Sequence, residues 1–274
     1  MKLNDKVVII TGASSGIGKA LAIEFASRGA NLVLASRQYV ALCELTESLI
    51  NKYGIKAVAV QCDVAVEDDC SHLIKQAILT FNQIDILVNN AGISMRALFK
   101  DVDLNVLKTV MDVNFWGTVY GVKYFLPLLK REERSHIVDL SSVFGLIAPP
   151  GQPAYSASKF AVRGFTECLR HELAGTPVRV SCVHPGGIRT AIARRARIGA
   201  GVTRTGLEEK AARFEQLFRT SPEQAASRIL RGVERSEPRI LIGSDAYQID
   251  ILQRLRPGTY WKTLSRKLKN IRRN

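Results

Sequence analysis

The chain has 274 residues, 46% hydrophobic and 23% charged, a composition that supports a sizeable packed core and excludes disorder as the default state. No apolar run approaches the roughly 18 residues of a membrane span, and Met1-Lys2-Leu3-Asn4-Asp5-Lys6 leads straight into Val7-Val8-Ile9-Ile10 without the layout of a signal peptide. The formal charge of +14 is uneven, because residues 1–188 hold 19 basic against 17 acidic residues and residues 189–274 hold 20 against 8.

In chain order, a β-branched run at Lys6–Thr11 predicts a first strand. It leads into Thr11-Gly12-Ala13-Ser14-Ser15-Gly16-Ile17-Gly18, and Lys19–Phe25 then predicts a helix. Further strands are predicted at Asn31–Ala35, Ala57–Val60, Ile84–Val88, His136–Leu140, Val178–Val183 and Arg239–Ile242, with helical patterns between them. Strands that are apolar on both faces and separated by helices predict a parallel sheet covered on each side. The expected fold is therefore α/β: one doubly wound, Rossmann-type domain over residues 1–243 with seven parallel strands. A substrate lid is expected at about 189–220, where Ala191–Leu207 carries no acid. A basic helical extension is expected over 244–274, as two short helices separated by Pro257-Gly258.

A glycine-rich turn between a strand and a helix lets the backbone approach a pyrophosphate at the positive end of the helix dipole. Gly12, Ser14, Ser15, Gly16, Ile17 and Gly18 are the residues expected to cradle it. The second strand ends at Ala35-Ser36-Arg37, where an acidic residue would accept the ribose hydroxyls of NAD; an Arg suits a 2′-phosphate instead. NADP(H) is accordingly expected in preference to NAD(H). The five cysteines, Cys43, Cys62, Cys70, Cys168 and Cys182, show no C-x-x-C spacing, so neither a disulfide framework nor a metal site is indicated and a cytoplasmic setting is expected.

Tyr155-Ser156-Ala157-Ser158-Lys159 opens a helical stretch, and a Tyr and a Lys four residues apart share one helix face. Hydride arriving at a carbonyl carbon leaves charge on oxygen, which needs a proton from a positioned acid. Tyr155 is the expected acid and Lys159 the cation expected to lower its pKa. Ser142, at a strand end upstream, is an orienting hydroxyl; Ser141 competes for that place, and the spacing to Tyr155 favours Ser142.

Together these residues identify the chain as similar to the short-chain dehydrogenase/reductase family over about residues 4–243. The turn matches its T-G-x-x-x-G-x-G pattern at Thr11, Gly12, Gly16 and Gly18. Its adenine-side Asp matches Asp63, followed by Val64, and its N-N-A-G motif matches Asn89, Asn90, Ala91 and Gly92. The resemblance implies a catalytic tetrad of Asn114, Ser142, Tyr155 and Lys159, with Asn114 holding a water in the proton relay and Lys159 also holding the nicotinamide ribose. It implies Pro185 and Gly186 beside the nicotinamide, with Ile188 and Thr190 near the carboxamide. It also implies a homodimer or homotetramer built on long helices, here about Leu104–Lys130 and Ala154–Leu173. One departure is Ser15, where many NADP-using members carry a second basic residue, so phosphate selectivity rests on Arg37.

Ser94, Met95, Phe144, Leu146, Ile147, Gln152, His184, Gly187 and the lid are expected to face the substrate. That largely apolar set favours a carbonyl compound or alcohol with a hydrophobic body. Alternatives are an NAD-dependent dehydrogenase of the same fold, a nucleotide-binding regulator without turnover, and a nucleic-acid binder. The regulator is opposed by the complete tetrad, and the nucleic-acid binder by the lack of any signature for one. In the tail, Tyr260, Trp261, Leu264, Leu268 and Ile271 share one helix face, and Lys262, Arg266, Lys269 and Arg273 share another. Such a stripe suits docking on the body or on a second subunit, or an anionic membrane surface to which the protein would be peripheral.

Overall fold

The computed structural model describes residues 2–129, 131–192, 194–198, 218 and 220–271, without the side chains of Ile198 and 267–271. The expected lid therefore lies largely outside the described residues, as do the side chains of Leu268, Lys269, Ile271 and Arg273.

Seven strands form one parallel sheet: β1 (Val7–Thr11), β2 (Asn31–Ser36), β3 (Ala57–Gln61), β4 (Ile86–Asn89), β6 (Ser135–Leu140), β7 (Val178–Pro185) and β9 (Arg239–Ile242). Their order is β3-β2-β1-β4-β6-β7-β9. Two further pieces missed in the sequence, β5 (Met95–Arg96) and β8 (Arg197–Ile198), pair in parallel as a separate two-stranded ladder.

Alternate residues of each strand feed opposite cores, as the pleat requires. Val8, Ile10, Leu32, Leu34, Ile86 and Val88 pack on one side with helices α1 (Gly16–Ala26) and α2 (Tyr39–Tyr53). Val7, Ile9, Val33, Ala35 and Leu87 pack on the other side with α3 (Glu67–Phe81) and the stretch from Leu104 to Leu129. That stretch is α4 (Leu104–Met111), a π turn at Asp112–Trp116 and α5 (Gly117–Leu129). Helix α6 (Pro153–Glu172) continues the second layer.

Helix α7 (Pro222–Arg235) completes the first layer. It starts with a reciprocal cap, in which Ser221 Oγ accepts from Gln224 N–H and Gln224 Oε1 accepts from Ser221 N–H. The order in which strands are added reverses between β1 and β4, which are parallel neighbours, since β2 and β3 lie to one side of β1 and β4, β6, β7 and β9 to the other. A doubly wound sheet opens its ligand crevice at such a switch, outside the carboxyl ends of the strands.

Beyond β9, α8 (Ser244–Leu255) and α9 (Tyr260–Ile271) flank Pro257-Gly258. Arg239 at the start of β9 and Arg254 both bond the Asp250 carboxylate, which ties α8 to the sheet and holds that carboxyl down at a pKa of about 2. Among the described residues, no helix is long and apolar enough to cross a membrane.

Candidate active site

A cavity of about 1820 Å³ opens at the carboxyl ends of the strands. At its base, Gly12 takes φ +65°, and a Cβ there would stand 2.9 Å from Ala91 Cα. Asn90 holds this turn by donating from Nδ2 to the carbonyl oxygens of Thr11 and Gly12, at 2.8 and 3.2 Å. Helix α1 then begins with no capping bond from Ser15 and no acidic residue in its first turn. Its first amide N–H groups are thus left for an anion, so these residues fit the pyrophosphate of a nicotinamide dinucleotide.

Of the residues expected to hold the cofactor, Gly12, Ser14, Ser15, Gly16, Ile17, Arg37, Asp63, Val64, Asn90, Ala91, Gly92, Tyr155, Lys159, Pro185, Gly186, Ile188 and Thr190 all line the cavity. Gly18 does not. It is buried in α1, where a Cβ would collide with the Gly12 carbonyl oxygen, so its part is to let helix and turn close up.

Arg37 is exposed and its Nη1 lies 3.4 Å from Asp63 Oδ2. Ser36, just before it, is bonded to the Ser14 hydroxyl at 2.8 Å and accepts from Gln38 N–H at 3.1 Å. This hydroxyl network stands at the end of β2, where a carboxylate would serve NAD. Ser36 and Gln38 were not singled out in the sequence, because their role depends on the Ser14 turn folding against them.

The reacting groups converge from two elements. Ser142, two residues past the end of β6, is extended at φ −169°, and its Oγ accepts from Phe144 N–H at 3.1 Å. Its hydroxyl stands by the Tyr155 phenol and works to lower that group's pKa. The rival Ser141 also lines the cavity, but it donates its proton to the Lys159 carbonyl oxygen at 2.8 Å and so holds α6 in place.

The ammonium of Lys159 sits 5.8 Å from the centre of the Tyr155 ring and donates to the Leu140 carbonyl oxygen at 2.8 Å. Here the structure corrects an expectation. The Tyr155 pKa is raised, because burial outweighs the opposing Ser142 hydroxyl. The cation, turned toward the main chain of β6, does not pull it down. Lys159 itself is lowered to about 8 by burial, against the smaller upward pull of Cys182 and Asp139. Beneath it Asp139 accepts from Asn89 Nδ2 and Thr166 Oγ1, at 2.8 and 2.9 Å, and burial pushes its carboxyl up to about 6.

Asn114 lies in the π turn, fully buried and outside the cavity lining. Its Oδ1 accepts from Ile93 N–H at 2.8 Å, and its Nδ2 donates to the Ile93 carbonyl oxygen and to Ser158 Oγ, at 3.0 and 2.9 Å. The side chain thus clamps the loop after β4 to α6. A π turn interrupts the regular i→i−4 ladder, and such interruptions cluster at functional positions.

Ser94, Phe144, Ile147, Gln152 and Gly187 line the substrate side as expected. Met95, Leu146 and His184 do not. Met95 packs with Ala97, Val110 and Ala154, and Leu146 packs with Leu241 and Ala246. His184 is buried in β7 with Nδ1 3.1 Å from the Ser142 carbonyl oxygen, and burial lowers its pKa to about 4. Strand and turn geometry sends these three inward.

Two contributors lie in the carboxyl-terminal extension. Asp245 accepts from Gly187 N–H at 2.7 Å and fills the space that a Cβ on Gly186 would need. From α9, Trp261, Leu264 and Ser265 line the cavity, and the Tyr260 hydroxyl accepts from Ala148 N–H at 3.0 Å. The described part of the amphipathic stripe is thus turned toward the protein body. Helical periodicity marked the stripe; what it covers depends on how the chain folds back after β9.

Comparisons with known proteins agree with this geometry. The family model for short chain dehydrogenases matches residues 6–200. The chain is 39% identical over 262 residues to SadH of Mycobacterium tuberculosis, which is named as a candidate oxidoreductase, covering 95% of this chain and 94% of that one. It is 41% identical over 190 residues to 11-beta-hydroxysteroid dehydrogenase A of Arachis hypogaea, covering 69% of this chain and 54% of the other. A short chain dehydrogenase/reductase from Burkholderia phymatum, solved in complex with NAD, superposes with a TM-score of 0.86 at 30% identity, covering 93% of this chain and 95% of that one. With matches that run from the first strand through the substrate side, this chain belongs to the short-chain dehydrogenase/reductase family of oxidoreductases.

Proposed function

We propose that the protein is an NADP(H)-dependent oxidoreductase that interconverts a carbonyl group and an alcohol on a hydrophobic substrate, with Tyr155 as the acid and base. The observation that carries this reading is the convergence of Ser142, Tyr155 and Lys159 at the centre of a cavity whose floor is an uncapped helix start. The bound nicotinamide would supply or accept the hydride.

Because burial holds the Tyr155 pKa up, the phenol carries its proton at neutral pH, the state an acid needs in the reducing direction. The Ser142 hydroxyl stands by the phenol and would hydrogen-bond the same substrate oxygen. Lys159, lowered only to about 8, remains largely cationic at pH 7 and biases the site toward negative charge forming on that oxygen. Phe144, edge-on to Tyr155 at 6.0 Å between ring centres, and Ile147 make the wall beside it apolar.

Preference for NADP(H) is supported by Arg37 and by Ser36 in place of an acid. The NAD complex of the Burkholderia phymatum protein favours NAD as the second reading. The steroid in the name of the Arachis hypogaea relative is consistent with a bulky apolar substrate here. A homodimer or homotetramer belongs to the same proposal, supported by the exposed apolar side chains of Leu104, Trp116 and Phe160 on the long helices and the turn joining them. The test is NADPH oxidation with a panel of hydrophobic ketones and aldehydes, comparing wild type with Tyr155→Phe. Turnover should fall by about 10² or more while NADPH binding is kept; equal turnover in the variant would refute the role of Tyr155.

A further inference from the structure

We infer that Asp139 is a positioning residue for the reaction: a buried carboxyl whose ionised form is the counter-charge that keeps the Lys159 ammonium cationic. This rests on the reading above that Lys159 serves the reaction.

Asp139 is fully buried in β6, three residues before Ser142. The pleat puts it on the same face as Ile137, toward α5 and α6. A carboxylate taken wholly out of water is costly unless hydrogen bonds and a cation meet it. Oδ1 has a donor in Asn89 Nδ2 at 2.8 Å. Oδ2 stands 2.9 Å from Thr166 Oγ1, which is itself 2.6 Å from the Val162 carbonyl oxygen.

A hydroxyl has one proton to give. When Thr166 gives it to Val162, the contact at 2.9 Å is a hydrogen bond only if Asp139 carries a proton and donates it. When Thr166 turns it to Oδ2, the carboxylate has a donor on each oxygen, and the Val162 carbonyl keeps its helical bond from Thr166 N–H. The network thus suits both protonation states with the turn of a single hydroxyl. Burial sets the carboxyl at about 6, so the ionised form prevails at pH 7.

The cation it meets is Lys159. That ammonium donates to the carbonyl oxygen of Leu140, the residue after Asp139, and each of the two charges stabilises the other. Cys182, opposite Asp139 on β7, pulls on Lys159 more strongly, but only as a thiolate, and burial pushes that thiol up to about 12. His184 on β7 is neutral above about pH 4, and Arg163 and Glu167 on α6 pair with each other at 2.9 Å. Asn89 on β4 is uncharged, and the α5 side chains facing the sheet, Val122, Phe125 and Leu129, are apolar. Among these groups, Asp139 is the anion that serves Lys159 at neutral pH.

The test compares the full chain with Asp139→Asn, in which an amide reproduces the bonds of the protonated carboxyl but cannot ionise. Carbon-13 NMR of protein labelled at aspartate carboxyl and lysine Cε carbons, without nucleotide, should show a carboxyl titrating near pH 6 that is missing from the variant. The Lys159 signal, assigned with Lys159→Met, should titrate near pH 8 in wild type and at lower pH in Asp139→Asn. In Thr166→Val, which removes a donor to the carboxylate, the Asp139 carboxyl should titrate at higher pH than in wild type. With NADPH and the member of the carbonyl panel that wild type reduces fastest, kcat/KM of Asp139→Asn relative to wild type should fall by about threefold to tenfold between pH 6 and pH 9, since the variant gives up the lysine proton first.

A carboxyl that titrates in the ordinary aspartate range, a Lys159 titration unmoved by Asp139→Asn, or an activity ratio equal at every pH, as a merely structural loss would give, overturns the role of Asp139 and leaves the parent reading standing. Wild type that reduces no member of the panel overturns the parent reading, and the positioning role with it.

Discussion

Lys159→Met should stabilise the cofactor-free protein at neutral pH while abolishing turnover. Lys159 is 4% exposed, and burial brings its pKa from 10.5 to about 8. At roughly 1.4 kcal/mol per tenfold, that drop corresponds to about 3 kcal/mol spent on keeping the side chain charged below pH 8. Met removes this cost and fills a similar volume. Against the gain stand the lost bond to the Leu140 carbonyl oxygen, about 1 kcal/mol, and a smaller penalty as Asp139 loses a nearby cation. The net expectation is a gain of about 1–2 kcal/mol at pH 7, or roughly 2–8 °C in Tm for a chain of this size.

The pH dependence gives the sign. Below pH 8 the lysine is charged in both folded and unfolded chains, and the folded one bears the full cost. Between pH 8 and 10.5 the folded side chain loses its proton first, so wild type regains stability relative to the variant. By pH 10 wild type should have regained about 2.5 kcal/mol, so the advantage of Lys159→Met should be gone and slightly reversed. Thermal unfolding of both proteins without nucleotide at pH 7 and pH 10, where Asp139 is ionised at either value, checks this. A variant less stable at pH 7, or an advantage that does not change with pH, would refute the claim that Lys159 is held charged at a cost to folding.

Ser142→Ala should lower kcat by about 10² with Tm nearly unchanged, whereas Ser141→Ala should lower Tm by removing the bond to the Lys159 carbonyl oxygen; steady-state kinetics beside thermal melts separate the two. Arg37→Asp should move preference from NADP(H) toward NAD(H) by about 1.5–3 kcal/mol, read by titrating both nucleotides against both proteins. A chain ending at Leu255 lacks Trp261 and Leu264, so its KM for hydrophobic substrates should rise about tenfold or more with a smaller change in kcat, as expected when a wall that binds ground state and transition state alike is removed. An unchanged KM would mean that α9 does not shape the site.

The sequence by itself determined the architecture, because strands such as Val7-Val8-Ile9-Ile10 with no polar alternation are stable only between two helical layers. It also determined the positions of the glycine turn, Ser142, Tyr155 and Lys159, since these depend on local geometry: a turn with positive φ, a strand tip and a four-residue helical spacing. What a side chain does once there was left to the tertiary structure. Ser141 and Ser142 are adjacent, chemically identical and both line the cavity, and only the packing of α6 against β6 commits the first hydroxyl to the Lys159 carbonyl oxygen and leaves the second without that bond. The same packing turns the Lys159 ammonium to Leu140 and buries the Tyr155 phenol, reversing the pKa shift expected from their spacing. Met95, Leu146 and His184 point into the core, while Arg96, Arg197, Asp245 and Trp261 reach the cavity from distant segments. Such placements arise from strand register and from the fold-back of the last helices, which are contacts between segments far apart in the chain, and no local pattern encodes them.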